Sequence, residues 1–233
     1  MLPQLVGLKR IALDLLFPQW CLGCGREGEL ICPSCRRALP KIMPPLCPRC
    51  GQPQASGTLC PTCISSQPEI DGICSPFRFE LTVRKAIHQL KYSNLRAVAV
   101  PLAELLNGYL ATNPMPAEVL VPVPLHQKRE RERGYNQSHL LCRELGKLAK
   151  LPVVAGCLIR ERHAPPQART TTVAERKNNV ANAFTCRDHR LAGKQVLLID
   201  DVATSGATLN ACATALKASG ASSVWGLVLA REV

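Results

Sequence analysis

VLLIDDVATSGATL, Val196 to Leu209, is an apolar run, then an acidic pair, then a small hydroxyl- and glycine-rich loop, then a helical pattern. A short apolar run bounded by polar and glycine residues fits a strand covered on both faces, as in a parallel sheet. A buried strand is therefore predicted over Val196–Ile199, with Asp200 and Asp201 at its carboxyl end. In an open α/β sheet that end is where ligands bind. Thr204, Ser205, Gly206, Ala207 and Thr208 then lead into a helix expected over 207–219. Free backbone N–H groups and the positive helix end converge there, which makes an anion site suited to phosphate. Gly206 and Ala207 let the backbone come close, and Thr204, Ser205 and Thr208 add hydroxyl donors. No Gly-Lys-Ser/Thr follows the glycine, so the loop is not a Walker A loop.

The string resembles the 5-phosphoribosyl-1-pyrophosphate (PRPP) motif of type I phosphoribosyltransferases. The resemblance implies that Asp200 and Asp201 face the ribose hydroxyls while the loop Thr204–Thr208 wraps the 5′-phosphate. The chemistry agrees, because carboxylates accept hydrogen bonds from a diol and an N–H nest takes a dianion.

Strand and helix patterns alternate on the amino-terminal side. Strands are expected over 72–79, 119–123 and 152–155, and helices over 81–92, 95–110 and 137–149. A last strand follows over 223–230. Such alternation implies a mainly parallel sheet flanked by helices. The strand Val119–Val123 runs into a loop carrying His126, Lys128, Arg129, Arg131 and Arg133, and a helix begins near Asn136 or Gln137. A pyrophosphate at neighbouring strand ends needs cations, and arginine grips it with paired hydrogen bonds. Glu130 and Glu132 interleave with Lys128 and Arg131, which read as solvated surface charge; Arg129 and Arg133 are the expected ligands. A third polar, basic stretch spans 160–184 between two strands. Loops of that length in compact domains are usually functional or disordered. Here the stretch is read as a lid that excludes water from a reactive ester.

Thirteen cysteines add a second theme. Eight form four Cys-x-x-Cys pairs: Cys21/Cys24, Cys32/Cys35, Cys47/Cys50 and Cys60/Cys63. Two residues between thiolates is zinc-knuckle spacing. Gly25 and Gly51 follow their pairs and supply the turn. The start of the chain is not ordered as a secretory signal, which disfavours a disulfide framework. The simplest assignment is two structural zinc ions bound by tandem sets, the first four cysteines and the last four; a cross-braced pairing fits the spacing equally well. The segment is rich in proline and poor in periodic pattern, so metal must supply most of its folding energy. Chelation is then expected to unfold this module alone. The expected organisation is an amphipathic helix over 1–17, a double zinc ribbon over 18–68 and the α/β domain over 69–233.

Net charge is +12, which implies anionic partners, phosphorylated small molecules or nucleic acid. No segment is long and apolar enough to span a membrane, and the expected location is the cytoplasm. Aromatic residues make up only 4% of the chain. In the cysteine-rich module Trp20 alone offers a stacking surface for single-stranded DNA.

Taken together, Val-Pro-Leu-His126, Arg129, Arg133-Gly-Tyr-Asn-Gln137, the Gln167…Arg176…Asn179 series and Asp200-Asp201…Thr208 resemble the ComF/GntX family. That family joins a double zinc ribbon to a type I phosphoribosyltransferase domain, and it is linked to competence and the handling of incoming single-stranded DNA. The resemblance implies PRPP as ligand and lid roles for Gln167, Arg176 and Asn179. It further implies Mg²⁺ carried with PRPP and transfer of ribosyl-5-phosphate to an acceptor that no motif names. The alternatives are a competence accessory that binds single-stranded DNA without catalysis, and a PRPP sensor.

Overall fold

The computed structural model describes residues 19–161, 183–186 and 188–233. The expected amino-terminal helix and the lid residues Gln167, Arg176 and Asn179 lie outside the described residues. The centre is a parallel sheet. Strands β1 (Gly72–Cys74) and β2 (Phe77–Arg78) both pair with β7 (Ser223–Arg231), which pairs with β6 (Gln195–Ala203), which pairs with β3 (Val119–Pro122).

Strand β6 shows why the sheet needs helices on both faces. Leu197 and Ile199 pack with α3 (Leu81–Tyr92), α4 (Ala99–Thr112) and α6 (Gln137–Ala149). Val196 and Leu198 point the other way, toward α7 (Ala207–Ala218) and the antiparallel pair β4 (Leu158–Arg160) and β5 (Phe184–Cys186). Alternate residues of a strand face opposite sides, so an unbroken apolar run must be covered twice. Among the described residues no helix is long and apolar enough to cross a membrane.

Several boundaries differ from expectation. The strand expected over 72–79 is split into β1 and β2 at Ser75-Pro76, because proline has no N–H for the ladder. The strand expected over 152–155 is reduced to one bridge, Val153 to Leu120. The helix expected from 95 starts as a 3-10 turn at Arg96–Val98 and becomes α4 at Ala99, with Pro101 in its first turn, where a missing N–H costs nothing. The basic segment after β3 is not a loop. It forms α5 (Gln127–Arg133), capped by His126 and closed by Gly134 at φ 79°. Its charged residues are good helix formers, but it lacks an apolar stripe, so periodicity missed it. Strand β6 continues to Ala203, which places Asp200 and Asp201 inside the strand.

The ribbon segment contains two short helices, α1 (Pro33–Arg37) and α2 (Pro61–Ser66). Leu30, Ile31 and Leu39 join the same core as α3 and α4. Arg78 N donates to Pro40 O at 2.8 Å and Ile42 N to Pro76 O at 3.0 Å, which fastens the ribbon to the β1–β2 edge.

Candidate functional site

The eight paired cysteines form two sets. Cys21, Cys24, Cys32 and Cys35 make one and Cys47, Cys50, Cys60 and Cys63 the other, and within each set the sulfurs lie within 4.8 Å of one another. The pairing is therefore tandem, and the cross-braced alternative is excluded. Gly25 and Gly51 adopt φ of 72° and 73°, the left-handed turn expected at a knuckle. Backbone donors favour thiolate at the first cysteine of each set. Burial would raise Cys21, but N–H groups of Cys32, Cys24 and Gly23 outweigh it and hold the thiol at about 6. Burial is likewise outweighed at Cys47, also at about 6, by N–H groups of Cys50, Cys60 and Arg49. Four sulfurs at this spacing with N–H donors on them are the donor set of structural zinc. The environments differ: the second set is wholly buried, whereas Cys24 is exposed and Cys32 and Cys35 are half-buried.

The carboxylate pair sits toward the carboxyl end of β6, where alternation sends the two side chains to opposite faces. Asp200 Oδ1 accepts from Ser138 Oγ at 2.7 Å and from Asp201 N at 2.9 Å. Asp201 Oδ2 pairs with Lys91 Nζ at 2.8 Å. Burial pushes the Asp200 carboxyl up to about 7, the Asp201 charge adds to this, and the Ser138 hydroxyl and Lys91 oppose it.

Beyond β6, Thr204 and Ser205 are exposed and Gly206 caps α7 with no side-chain hydrogen bond to the helix start. Gly206 has φ 78°, and a Cβ there would lie 2.8 Å from Ile73 Cδ1. Glycine is thus required by the backbone itself. Ser205 Oγ accepts from Ala207 N at 3.4 Å.

On α5, Arg129 and Arg133 are half-buried while the other residues of the helix are exposed. They are four apart and share a face. The Arg133 guanidinium donates to Gln137 Oε1 and lies 5.5 Å from the centre of the Tyr92 ring. Asn136, not Gln137, caps α6: its Oδ1 accepts from Ser138 N at 2.9 Å, and its Nδ2 donates to Val123 O at 3.0 Å. That cap aims Ser138 at Asp200.

Several residues at the site escaped the sequence reading. Lys91 and Ser138 reach the carboxylates from more than a helix away, and no local pattern signals either. Arg160, at the end of β4, lies 5.4 Å from the centre of the Phe184 ring. Burial and then the charge of Arg129 pull its pKa down, while Asp200 pushes it up. A cavity of about 310 Å³ opens beside Lys91 and Thr204, lined also by Phe79, His88, Tyr92 and Glu232. Its rings form a strip: Phe79 and His88 stack at 6.2 Å, and His88 and Tyr92 meet edge-on at 5.4 Å. Tyr92 is 71% exposed. A larger cavity, about 570 Å³, lies under the second ribbon. There Arg49 and Lys217 already pair with Asp71, which leaves little free charge for a ligand.

Comparison with known proteins agrees with this division. Residues 12–64 match the double zinc ribbon domain, and residues 146–232 match the phosphoribosyl transferase domain. The DNA utilization protein YhgH of Escherichia coli K12 is 31% identical over 218 residues, 91% of this chain and 94% of the relative. The competence protein ComFC of Bacillus subtilis is 29% identical, covering 89% of this chain and 86% of its own. Competence protein F of Haemophilus influenzae is 29% identical, covering 90% and 96%. Among solved structures, the glutamine PRPP amidotransferase of B. subtilis aligns with 61% of this chain and 30% of its own, at 20% identity and a TM-score of 0.42. Identity of 31% along nine-tenths of the chain, together with a double zinc ribbon match ahead of a phosphoribosyl transferase match, means that the chain belongs to the ComF/GntX family, which joins a double zinc ribbon to a phosphoribosyltransferase domain.

Proposed function

We propose that this chain binds PRPP with Mg²⁺ at the carboxyl end of β6 and transfers its ribosyl-5-phosphate to a planar acceptor, in the service of DNA use. One observation carries the reading: β6 carries the buried Asp200 and Asp201 toward its carboxyl end and runs directly through Thr204–Thr208 into the start of α7, while Arg160 lies where it feels the charges of both Arg129 and Asp200. The loop Thr204–Thr208 holds the 5′-phosphate, so remote binding energy positions the reacting carbon. Asp200 and Asp201 accept from the ribose hydroxyls. Arg129 and Arg133 take the pyrophosphate, and Lys91 sets the orientation of Asp201. The acceptor's nucleophile bonds to the anomeric carbon as the bond to the pyrophosphate oxygen breaks, with inversion. Mg²⁺ bound with PRPP would lower the charge on the pyrophosphate leaving group that Arg129 and Arg133 hold. The lid roles of Gln167, Arg176 and Asn179 belong to the same proposal. The rings of Phe79, His88 and Tyr92 form the acceptor side, since aromatic faces stack on flat heterocycles.

A second reading, single-stranded DNA on the same strip, is favoured by the guanidiniums beside the rings: Arg84 over Phe79 at 5.9 Å and Arg133 over Tyr92. Stacked bases between cations are the usual mode of single-strand binding. The name of the E. coli relative, a DNA utilization protein, points toward DNA in either reading.

The test is calorimetric titration with PRPP and Mg²⁺. Asp200 near pH 7 is partly protonated, and the bound state needs the carboxylate. Affinity is therefore expected to fall as pH drops from 8 to 6, with protons released to buffer on binding. The Asp200→Asn variant should lose that part of the pH dependence, which separates it from titration of the ligand's phosphates. No heat with PRPP at any pH would overturn the reading. Pyrophosphate release in a screen of acceptors then decides between turnover and sensing.

The phosphate loop has its own test. Gly206→Val should lower stability by ~1–3 kcal/mol through backbone strain alone, so its loss of affinity is ambiguous. Ser205→Ala and Thr208→Ala are cleaner. Each is expected to weaken ribose-5-phosphate binding by about 2- to 10-fold, the size of one hydrogen bond, with little change in melting temperature. Unchanged affinity in both would remove the loop from the site.

A further inference from the structure

The cavity of about 310 Å³ adjoins the phosphate loop through Thr204. That volume is at the lower end of small-molecule sites. Main-chain hydrogen bonds place its residues across neighbouring strand ends. Glu232 N donates to Ala203 O at 3.0 Å, which sets Glu232 beside the start of the loop. Phe79 N donates to Arg231 O at 2.8 Å, which sets Phe79 at the other edge of β7. The Phe79 and His88 rings then stack with 28° between their planes.

Glu232 is out of keeping with its surroundings. The chain carries a net charge of +12, and cations gather at this cavity. Lys91 lines it, Arg84 lies 5.9 Å from the centre of the Phe79 ring, and Arg133 lies 5.5 Å from that of Tyr92. Glu232 is the one carboxylate in the lining. Lys91 is engaged by Asp201 at 2.8 Å, and among the described residues no side chain bonds to the Glu232 carboxylate. A carboxylate repels phosphate, so it does not serve an anionic ligand. It is an acceptor with two oxygens side by side. Its complement is an edge with two neighbouring N–H donors, held by paired hydrogen bonds. Rings that stack, beside a group that reads an edge, select a flat heterocycle by both.

Building on the PRPP site proposed above, we propose that Glu232 determines the acceptor: the heterocycle seated against Phe79, His88 and Tyr92 carries two adjacent N–H donors, as on the Watson–Crick edge of guanine. A heterocycle with a carbonyl in place of the amino group is refused, because two acceptors then face each other without a proton between them. The edge that is held is not the edge that reacts. In guanine the nitrogens of the five-membered ring stay free to face the ribose.

The experiment titrates the full chain calorimetrically with the 5′-monophosphates of guanosine, inosine and xanthosine, which would span the phosphate loop and the cavity, and with ribose-5-phosphate alongside. The guanosine nucleotide should bind ~10-fold more tightly than the inosine nucleotide, the scale of one charge-assisted hydrogen bond, and the xanthosine nucleotide should bind weakest. Glu232→Gln should collapse this order, because an amide offers one acceptor and a donor, while ribose-5-phosphate affinity does not fall. Glu232 is exposed and its main-chain bond to Ala203 survives the change, so the variant folds. Equal binding of the three nucleotides, or an order that persists in Glu232→Gln, would overturn the proposal. Guanosine and inosine, which carry no phosphate, separate its failure from that of the PRPP site. A preference for guanosine without ribose-5-phosphate binding keeps the edge contact and removes the phosphate loop; ribose-5-phosphate binding with no preference for guanine does the reverse. A thymidine oligomer with one central deoxyguanosine, compared with deoxyinosine at that place, tests the other source of the same edge. A preference confined to the oligomer would give Glu232 to DNA and end its role in choosing an acceptor.

Discussion

Replacing both carboxylates, Asp200→Asn with Asp201→Asn, is expected to weaken PRPP–Mg²⁺ binding by at least ~100-fold while the protein stays folded. Each charge-assisted hydrogen bond is worth ~1.5–3 kcal/mol, and about 1.4 kcal/mol is tenfold in affinity. Persistence of the fold follows from the contacts. An amide oxygen at position 200 still accepts from Ser138 Oγ and Asp201 N. The change at 201 strands only Lys91, which reaches solvent. Stability should move in a stated direction. The folded Asp200 carboxyl lies at about 7, above its unfolded value, so its contribution is fully present below the unfolded pKa and is lost as pH rises through about 7. Asparagine does not titrate. The single Asp200→Asn protein should therefore melt higher than wild type above pH 7, and the advantage should fade toward pH 4. Calorimetry and melts on one preparation check both halves. Unchanged PRPP affinity would remove the pair from the site. Binding of single-stranded DNA, if driven by the basic surface, should survive the double change.

Stripping both zincs is expected to lower the melting of the whole chain in one transition, by more than ~4 kcal/mol, the scale of losing a structural metal. For a chain of this size that is about 8–16 °C. Composition alone suggested that the ribbons would unfold by themselves. The structure argues otherwise, because Leu30, Ile31 and Leu39 belong to the main core and the ribbon backbone bonds to the β1–β2 edge. Differential scanning calorimetry before and after chelation distinguishes the cases. Two separated transitions, the upper one unmoved, would restore the picture of an independent module.

Features with a local physical cause could be read in the chain without a structure. Cys-x-x-Cys spacing encodes a knuckle because both sulfurs reach one ion from a single turn. The apolar run at 196–199 encodes a doubly covered strand. Arg129 and Arg133 stood out against Glu130 and Glu132, and they are the residues of α5 turned inward. Helix α5 itself was missed because a solvated helix carries no apolar period.

Tertiary structure alone decided which distant groups meet. Ser138 reaches Asp200 across 62 positions, Lys91 reaches Asp201 from α3, and Phe79, His88 and Tyr92 gather into one strip. The tandem pairing of the cysteines and the burial of Arg231 were settled in the same way. The reason is common to all of them. Spacing and periodicity record what a residue does with its neighbours along the chain. The charge on Asp200, the burial of Arg231 and the cover over each sulfur depend instead on which elements the packed sheet brings alongside, and on the water that packing excludes.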